Sequence, residues 1–278
     1  MEITDAGKKI ENLSIDDARE LVAGKKESEI LILDVRQPEE YRSGHLPGAA
    51  FMPLSDLIDK AGELDPSKPV LAYCRSGSRS RAAAAFLLSE GFSKVYSMDG
   101  GIMAWNGQVA TGNYDEGLFL IKGRGTTGEL ISLALALEEG SRIFYTSVAE
   151  LTSDAEAKKL LTAIAEAEAK HKTNILEAYK LVTGEEHGED ILDREPLKGV
   201  MESGIKIEDA VSFLGQKGNT LIEILEVSMQ VETNALDLYI KIFREIEKTD
   251  AKKVFTILID EEKHHLSRLG KLLGERIT

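Results

Sequence analysis

A single cysteine, Cys74, serves all 278 residues, so no disulfide can close within the chain. A lone thiol in a reactive setting belongs in a reducing compartment, and the cytoplasm is the expected location. Proline is nearly as scarce, with six residues in all and only Pro196 beyond residue 127. No apolar run reaches membrane-spanning length, so no membrane segment is expected. The opening Met-Glu-Ile-Thr-Asp-Ala-Gly-Lys-Lys lacks the apolar centre of a signal peptide. Positive charge is in deficit: 34 Lys and Arg stand against 48 Asp and Glu, for a net charge of −14. That balance argues against a nucleic-acid partner and against a basic membrane patch.

Within this length there is room for two domains with ordinary cores, and the texture changes after Trp105. Before it, short apolar runs (Ile30–Val35, Val70–Tyr73, Val95–Met98) alternate with helical stretches such as Asp16–Val22 and Arg81–Leu88. That alternation predicts a parallel α/β domain over residues 1–110. Glycines at 107, 112, 117, 123, 125 and 128 mark a linker over 111–126. Leu118–Ile121 is too apolar to hang free there and is expected to dock on one domain. From residue 127 to 278 the pattern predicts an all-α bundle of four helices, near 127–150, 154–183, 217–247 and 250–274. The long Gly- and acid-rich middle connection suits two antiparallel pairs joined by a crossover. His187 in that crossover reads as a surface residue, and a short amphipathic piece is expected near Glu208–Leu214.

Two constellations carry chemistry. In the first, the apolar Val70–Tyr73 leads into Cys74-Arg-Ser-Gly-Ser-Arg-Ser80 and then Arg81 and an alanine-rich helix. A thiol at a helix start meets backbone N–H groups and the positive end of the helix dipole, which bind an anion and acidify the thiol together. Arg75, Arg79 and Arg81 oppose the acidic composition and point to a small anionic substrate. Cys74 is the expected nucleophile, with Arg75, Ser76, Gly77, Ser78, Arg79 and Ser80 holding the substrate. Asp34 and Arg36, at the end of an apolar strand, and His45, in a Gly-His-Leu-Pro-Gly turn, read as structural.

Three segments resemble the rhodanese family of sulfurtransferases: Leu33-Asp-Val-Arg-Gln-Pro-Glu-Glu-Tyr-Arg-Ser-Gly-His-Leu-Pro-Gly-Ala49, the Cys74–Ser80 loop, and Asp99-Gly-Gly-Ile-Met-Ala-Trp105. The resemblance implies a cysteine that takes a sulfane sulfur as a persulfide, from a donor such as thiosulfate. It then passes the sulfur to a thiol acceptor or cyanide. Phosphatase-like relatives place an arginine six positions after the cysteine, where this chain has Ser80; Arg79 resembles the arginine of single-domain sulfurtransferases.

The second constellation lies on the four helices. Each apolar stripe carries one carboxylate: Glu138, Glu168, Glu232 and Glu262. Two stripes add a histidine three residues later, His171 and His265, on the same helix face. Glu261 and His264 offer an overlapping pair, but they lead on to the polar Arg268, whereas Glu262 and His265 share a face with Phe255, Leu258, Leu269 and Leu272. Converging buried carboxylates cost several kcal/mol each unless compensated. A metal pair is therefore expected on Glu138, Glu168, His171, Glu232, Glu262 and His265, with Tyr145 and Tyr239 supporting the ligand carboxylates. Oxygen-rich ligation with two imidazoles suits iron, or manganese or a mixed pair. Each tyrosine follows its glutamate by seven residues, an internal repeat.

This pattern resembles the ferritin-like superfamily, and most closely its rubrerythrin branch, over residues 127–275. The resemblance implies a carboxylate-bridged di-metal site with redox chemistry toward oxygen, peroxide or a reduced sulfur species, and self-association as a homodimer. Rubrerythrins usually feed electrons through a four-cysteine iron site, which one cysteine cannot build, so an external electron donor is expected. Two other functions fit the same residues. The helical domain could serve only for dimerisation or metal storage beside a sulfurtransferase, or the chain could be a persulfide sensor acting through a partner.

Overall fold

The structure is a computed structural model that describes residues 9–25, 29–124, 126–153, 155–184, 199–201, 206–209, 211–212 and 220–277. His187, Pro196, Leu214 and most of the crossover lie outside them. The chain divides into two compact units, Met1–Tyr114 and Asp115–Thr278.

The first unit is a five-stranded parallel sheet flanked by helices. Its elements run β1 (Glu11–Leu13), α1 (Ile15–Ala23), β2 (Leu31–Asp34), α2 (Pro38–Ser43), β3 (Ala50–Phe51), α3 (Leu54–Lys60), β4 (Val70–Tyr73), α4 (Ser78–Ser89), β5 (Val95–Met98) and α5 (Gly101–Ala104). The strand order is β1-β5-β4-β2-β3, with every pairing parallel. All residues of β4 and β5 are buried, as strands covered on both faces require, which is why they read as continuous apolar runs. β4 is central, so the loop leaving its carboxyl end sits where open α/β sheets bind ligands. Tyr114 packs edge-on to Tyr41 at 6.1 Å and ties the last residues of this unit to its core.

Asp34 and Arg36 form a buried ion pair at the end of β2, with Arg36 Nη2 2.6 Å from Asp34 Oδ2 and 2.6 Å from the Gly44 carbonyl. His45 stacks on Tyr41 and pairs its backbone with Ala110, each N–H donating over 2.8 Å. Both features tie the connection after β2 to the rest of the unit.

The second unit is helical. It contains α6 (Thr127–Leu151), α7 (Ala155–Thr183), α8 (Leu221–Glu245) and α9 (Thr249–Ile277), with α6 packed chiefly on α7 and α8 on α9. The short connections turn each pair back on itself. α6 and α8 open alike: Thr126 with Glu129, and Thr220 with Glu223, form reciprocal capping boxes that satisfy the first free N–H groups. The box on Thr220 starts α8 at Leu221 rather than at the expected residue 217.

Leu118–Ile121 folds into a short 3₁₀ turn that buries Leu120 in the bundle core. Gly117 precedes it with φ +80°, and a Cβ there would lie 2.6 Å from Leu238. The close approach of turn to α8 thus depends on glycine. Gly140 on α6 has a similar role, because a Cβ would fall 2.0 Å from the Val200 carbonyl.

The apolar core of the bundle is split in two. One cluster takes Leu130–Leu137 of α6 with Ile175, Leu236–Ile242 and Ala251–Ile259 residues. The other takes Phe144–Ala149 residues with Ala157–Ala165, Ile224–Val231 and Leu269. On every helix the gap between the clusters is where the glutamates and histidines fall. A polar layer is thereby held between two dry ends.

Candidate active site and metal centre

Cys74 follows β4 directly and is buried, with 1 % of its surface exposed. Gly77, at φ +99°, is the N-cap of α4 and turns the backbone so that its N–H donates to Cys74 Sγ over 3.1 Å. Burial by itself would raise the thiol. The backbone N–H groups around the thiol, those of Ser80, Ser76 and Gly77, overcome it and bring the thiol below its ordinary value. This is a backbone nest at a helix start closed on sulfur.

The other loop residues divide by position. Arg75, Ser76, Ser78 and Arg81 are exposed at the rim. Ser80 is fully buried; its hydroxyl donates to the Gly77 carbonyl at 3.0 Å and meets Ser97 Oγ at 2.9 Å, so it braces the loop from beneath. Arg79 is half-buried and bound by both carboxylate oxygens of Glu40, each at 2.7 Å. The pairing lowers the Glu40 carboxyl to about 2. It also raises the Arg79 guanidinium, which feels the Cys74 sulfur as well. Arg79 is therefore clamped by a carboxylate while its charge bears on the reactive thiol. Sequence reasoning did not single out Glu40; the only local signal was its place in the capping box with Gln37.

Residues after β5 close the loop from behind. The N–H of Ile102 donates to the Cys74 carbonyl at 2.9 Å, and that of Met103 to the Arg75 carbonyl at 3.1 Å. Gly101, at φ +58°, makes this possible, because a Cβ would sit 2.4 Å from the Cys74 carbonyl oxygen.

The bundle brings together all six expected metal-site residues and both tyrosines. Glu138, Glu168, Glu232 and Glu262 are fully buried, and His171 and His265 nearly so. Glu168 spans the two imidazoles: its Oε2 is 3.0 Å from His171 Nδ1 and its Oε1 is 3.4 Å from His265 Nδ1. The rings themselves stack at 5.1 Å. On one side, Glu138 Oε2 lies 3.2 Å from His171 Nδ1 and its Oε1 accepts from the Tyr239 hydroxyl at 2.6 Å. On the other, Glu232 Oε2 lies 3.1 Å from His265 Nδ1 while its Oε1 accepts from Tyr145. Ligand-type atoms of Glu168, His171 and His265 fall within 4.8 Å of one another, as do those of Glu232, Glu262 and His265.

The electrostatics are those of crowded like charges. Burial, then the charges of Glu138 and Glu232, push the Glu168 carboxyl far above its ordinary value. Burial works against a charged His171, but its hydrogen bond to Glu138 and the surrounding carboxylates prevail and raise it. Burial likewise opposes ionised Glu232, but the neighbouring Glu262, the charge of His265 and the Tyr145 hydrogen bond overcome that and pull it down. Of the overlapping pair on α9, His264 is exposed, whereas Glu261 reaches inward to 3.4 Å from His171 Nδ1. Spacing alone did not reveal that approach.

A rubrerythrin family model matches residues 129–273, just over half of the chain. The chain belongs to the rubrerythrin family. A rhodanese-like domain model matches residues 17–108 of the same chain, so the two are fused. Over 87 residues this rubrerythrin-family chain is 38% identical to the thiosulfate sulfurtransferase GlpE of Pseudomonas entomophila, covering 30% of the chain and 80% of that protein. Over 90 residues it is 37% identical to the uncharacterized protein YqhL of Bacillus subtilis, covering 32% of the chain and 70% of that protein. A rhodanese-like domain protein of Staphylococcus aureus matches with 23% identity and a TM-score of 0.34, covering 37% of the chain and 99% of that structure.

The rhodanese-like domain supports sulfurtransferase activity, and the rubrerythrin domain implies a carboxylate-bridged di-metal site. The residues fit that group. Glu168 Oε1 is buried without a hydrogen bond, and the layer offers four carboxylates and two inward-facing imidazole nitrogens. A divalent cation pair would relieve the repulsion on Glu168. Among the described residues, no helix is long and apolar enough to cross a membrane.

Proposed function

We propose that residues 1–110 form a thiosulfate-type sulfurtransferase and that residues 127–278, joined to them by 111–126, hold a di-iron centre with a redox role. The observation that carries the first part is the Gly77 N–H donating over 3.1 Å to the Cys74 sulfur at the start of α4, which favours the thiolate and an anion beside it.

The Cys74 thiolate attacks the sulfane sulfur of thiosulfate. A Cys74–sulfur bond forms, the donor's S–S bond breaks, and sulfite leaves with the electron pair. Backbone N–H groups of the loop, with Arg75 and Arg79, stabilise the departing anion. An acceptor thiolate or cyanide then takes the outer sulfur and Cys74 returns as thiolate, with no net redox change at the enzyme. Arg75, Ser76 and Ser78, exposed at the rim, are the residues we assign to receiving the donor.

In the bundle, Glu138, Glu168, His171, Glu232, Glu262 and His265 would together hold the two irons. Bound iron would supply one-electron chemistry toward a small oxidant, with electrons from an external donor. Tyr145 and Tyr239 fix the outer oxygens of Glu232 and Glu138, so the inner oxygens face the histidines. The low-pKa thiol and the iron both suit a reducing cytoplasm, and the bundle is expected to pair with a second copy.

Incubating the purified chain with thiosulfate should add one sulfur atom to Cys74, read by mass spectrometry. Metal analysis of the same sample should find about two iron per chain. A chain that takes no sulfur and transfers none to cyanide would overturn the first part. A metal-free chain that takes up no divalent metal would overturn the second.

A further inference from the structure

The two halves of the metal layer are related by the internal repeat. Glu168-Ala-Lys-His171 corresponds to Glu262-Lys-His-His265, and the Glu138–Tyr239 pair corresponds to Glu232–Tyr145. One position breaks the correspondence. Glu261, immediately before Glu262, corresponds to Ala167, immediately before Glu168.

Glu261 is not idle surface charge. Its Oε2 atom is buried, accepts no hydrogen bond, and stands 3.4 Å from His171 Nδ1, the nitrogen that also faces Glu138 and Glu168. A carboxylate oxygen stripped of water and left without a donor needs a cation for compensation. His264, its partner in the overlapping pair, is exposed and contributes nothing there. The other half has no counterpart, because alanine cannot ligate.

Resting on the di-metal reading above, we propose that Glu261 is a seventh protein ligand, confined to the metal held by Glu138, Glu168 and His171. The two metals are then inequivalent. The His171 position has the higher carboxylate count and binds divalent metal more tightly, since charge count and ligand number set affinity at oxygen-rich sites. Sequential filling follows, with the His171 position first.

The test is a titration of the metal-free, full-length chain with Mn(II), reading free Mn(II) by electron paramagnetic resonance. The native chain should bind two equivalents in separate steps. Glu261→Gln should weaken the tighter step by roughly 10- to 100-fold and leave the weaker step nearly unchanged, with stoichiometry retained. Ala167→Glu, which supplies the missing carboxylate, should tighten the weaker step and draw the two together; this gain cannot come from misfolding. Superimposable isotherms for native chain and Glu261→Gln, or equal weakening of both steps, would overturn the assignment while leaving the di-metal reading in place. A native chain that binds no Mn(II) would overturn both.

Discussion

The Tyr239 hydroxyl on α8 donates over 2.6 Å to Oε1 of Glu138, a residue 101 positions earlier on α6. Tyr145 on α6 returns the bond to Glu232 on α8. Each tyrosine thus serves the glutamate of the opposite helix, and the pair cross-braces the polar layer at both outer edges. Tyr239→Phe should leave a buried carboxylate oxygen without its donor. The expected cost is about 1–3 kcal/mol in stability and roughly 10- to 100-fold in metal affinity. Thermal melting and Mn(II) titration read the two effects, and a variant matching the native chain in both would show that the bond positions nothing.

Cys74→Ser should abolish transfer of sulfur from thiosulfate to cyanide while leaving the far-ultraviolet spectrum unchanged. In the native chain the rate should rise with pH as the thiolate forms, with its acid limb centred below the ordinary thiol value of 9.0. Ser80→Ala removes the hydroxyl that braces the loop on the Gly77 carbonyl and so holds the thiol's backbone donors in place, and the limb should move toward higher pH. An unmoved limb would show that the backbone N–H groups keep their places without that brace.

The Glu40–Arg79 pair has a pH signature with a definite sign. Its folded-state carboxyl lies near 2 against an ordinary 4.5, because Arg79 hydrogen-bonds the ionised form. The unfolded chain therefore binds more protons in that window, and the contribution is complete above about 4.5 and lost as pH falls through about 2. Urea midpoints of the native chain and Glu40→Gln should differ at neutral pH and converge under acid. Thiosulfate KM should move in opposite directions, rising in Arg79→Ala and falling in Glu40→Gln, where the guanidinium is no longer neutralised.

Gly101→Ala tests the brace behind the loop. A Cβ there meets the Cys74 carbonyl oxygen at 2.4 Å, from a backbone at φ +58°. The loop must shift, and the expected cost is about 1–3 kcal/mol. Turnover should fall although no residue of the thiol nest has changed, and differential scanning calorimetry should show the loss in the rhodanese-like transition alone.

Metal removal should act on the other transition. Empty, the layer crowds like charges, and a ligand that binds only the folded bundle stabilises it in proportion to its affinity. Chelation should lower the melting temperature of the helical domain and leave the rhodanese-like domain almost unmoved. Glu168→Ala combined with Glu262→Ala should lose both metals. Copurification of the double variant with two equivalents of iron would assign the metals to other residues.

Several of these features were legible along the chain because they depend on local periodicity. The strand, Gly-turn and helix around Cys74 follow from an apolar run, a glycine that adopts positive φ, and an alanine-rich segment. The placement of Glu262 and His265 with Phe255, Leu258 and Leu269 follows from the helical repeat, and the structure buries all five. The capping boxes on Thr126 and Thr220 were also written locally, in a threonine with glutamate three residues on.

Long-range partnerships were not. Arg79 has Glu40 as its partner 39 positions away, and Tyr145 has Glu232 rather than the glutamate of its own helix. Glu261, on the polar side of its stripe by periodicity, reaches His171 because α9 lies against α7 at that level. A helix's own repeat says which face a residue occupies, and says nothing of which residue on another helix stands opposite. That depends on the height and rotation at which the helices pack. The sequence by itself determined the two domain families and the residue types of their candidate sites; only tertiary packing decided which carboxylate each arginine, tyrosine and imidazole would meet.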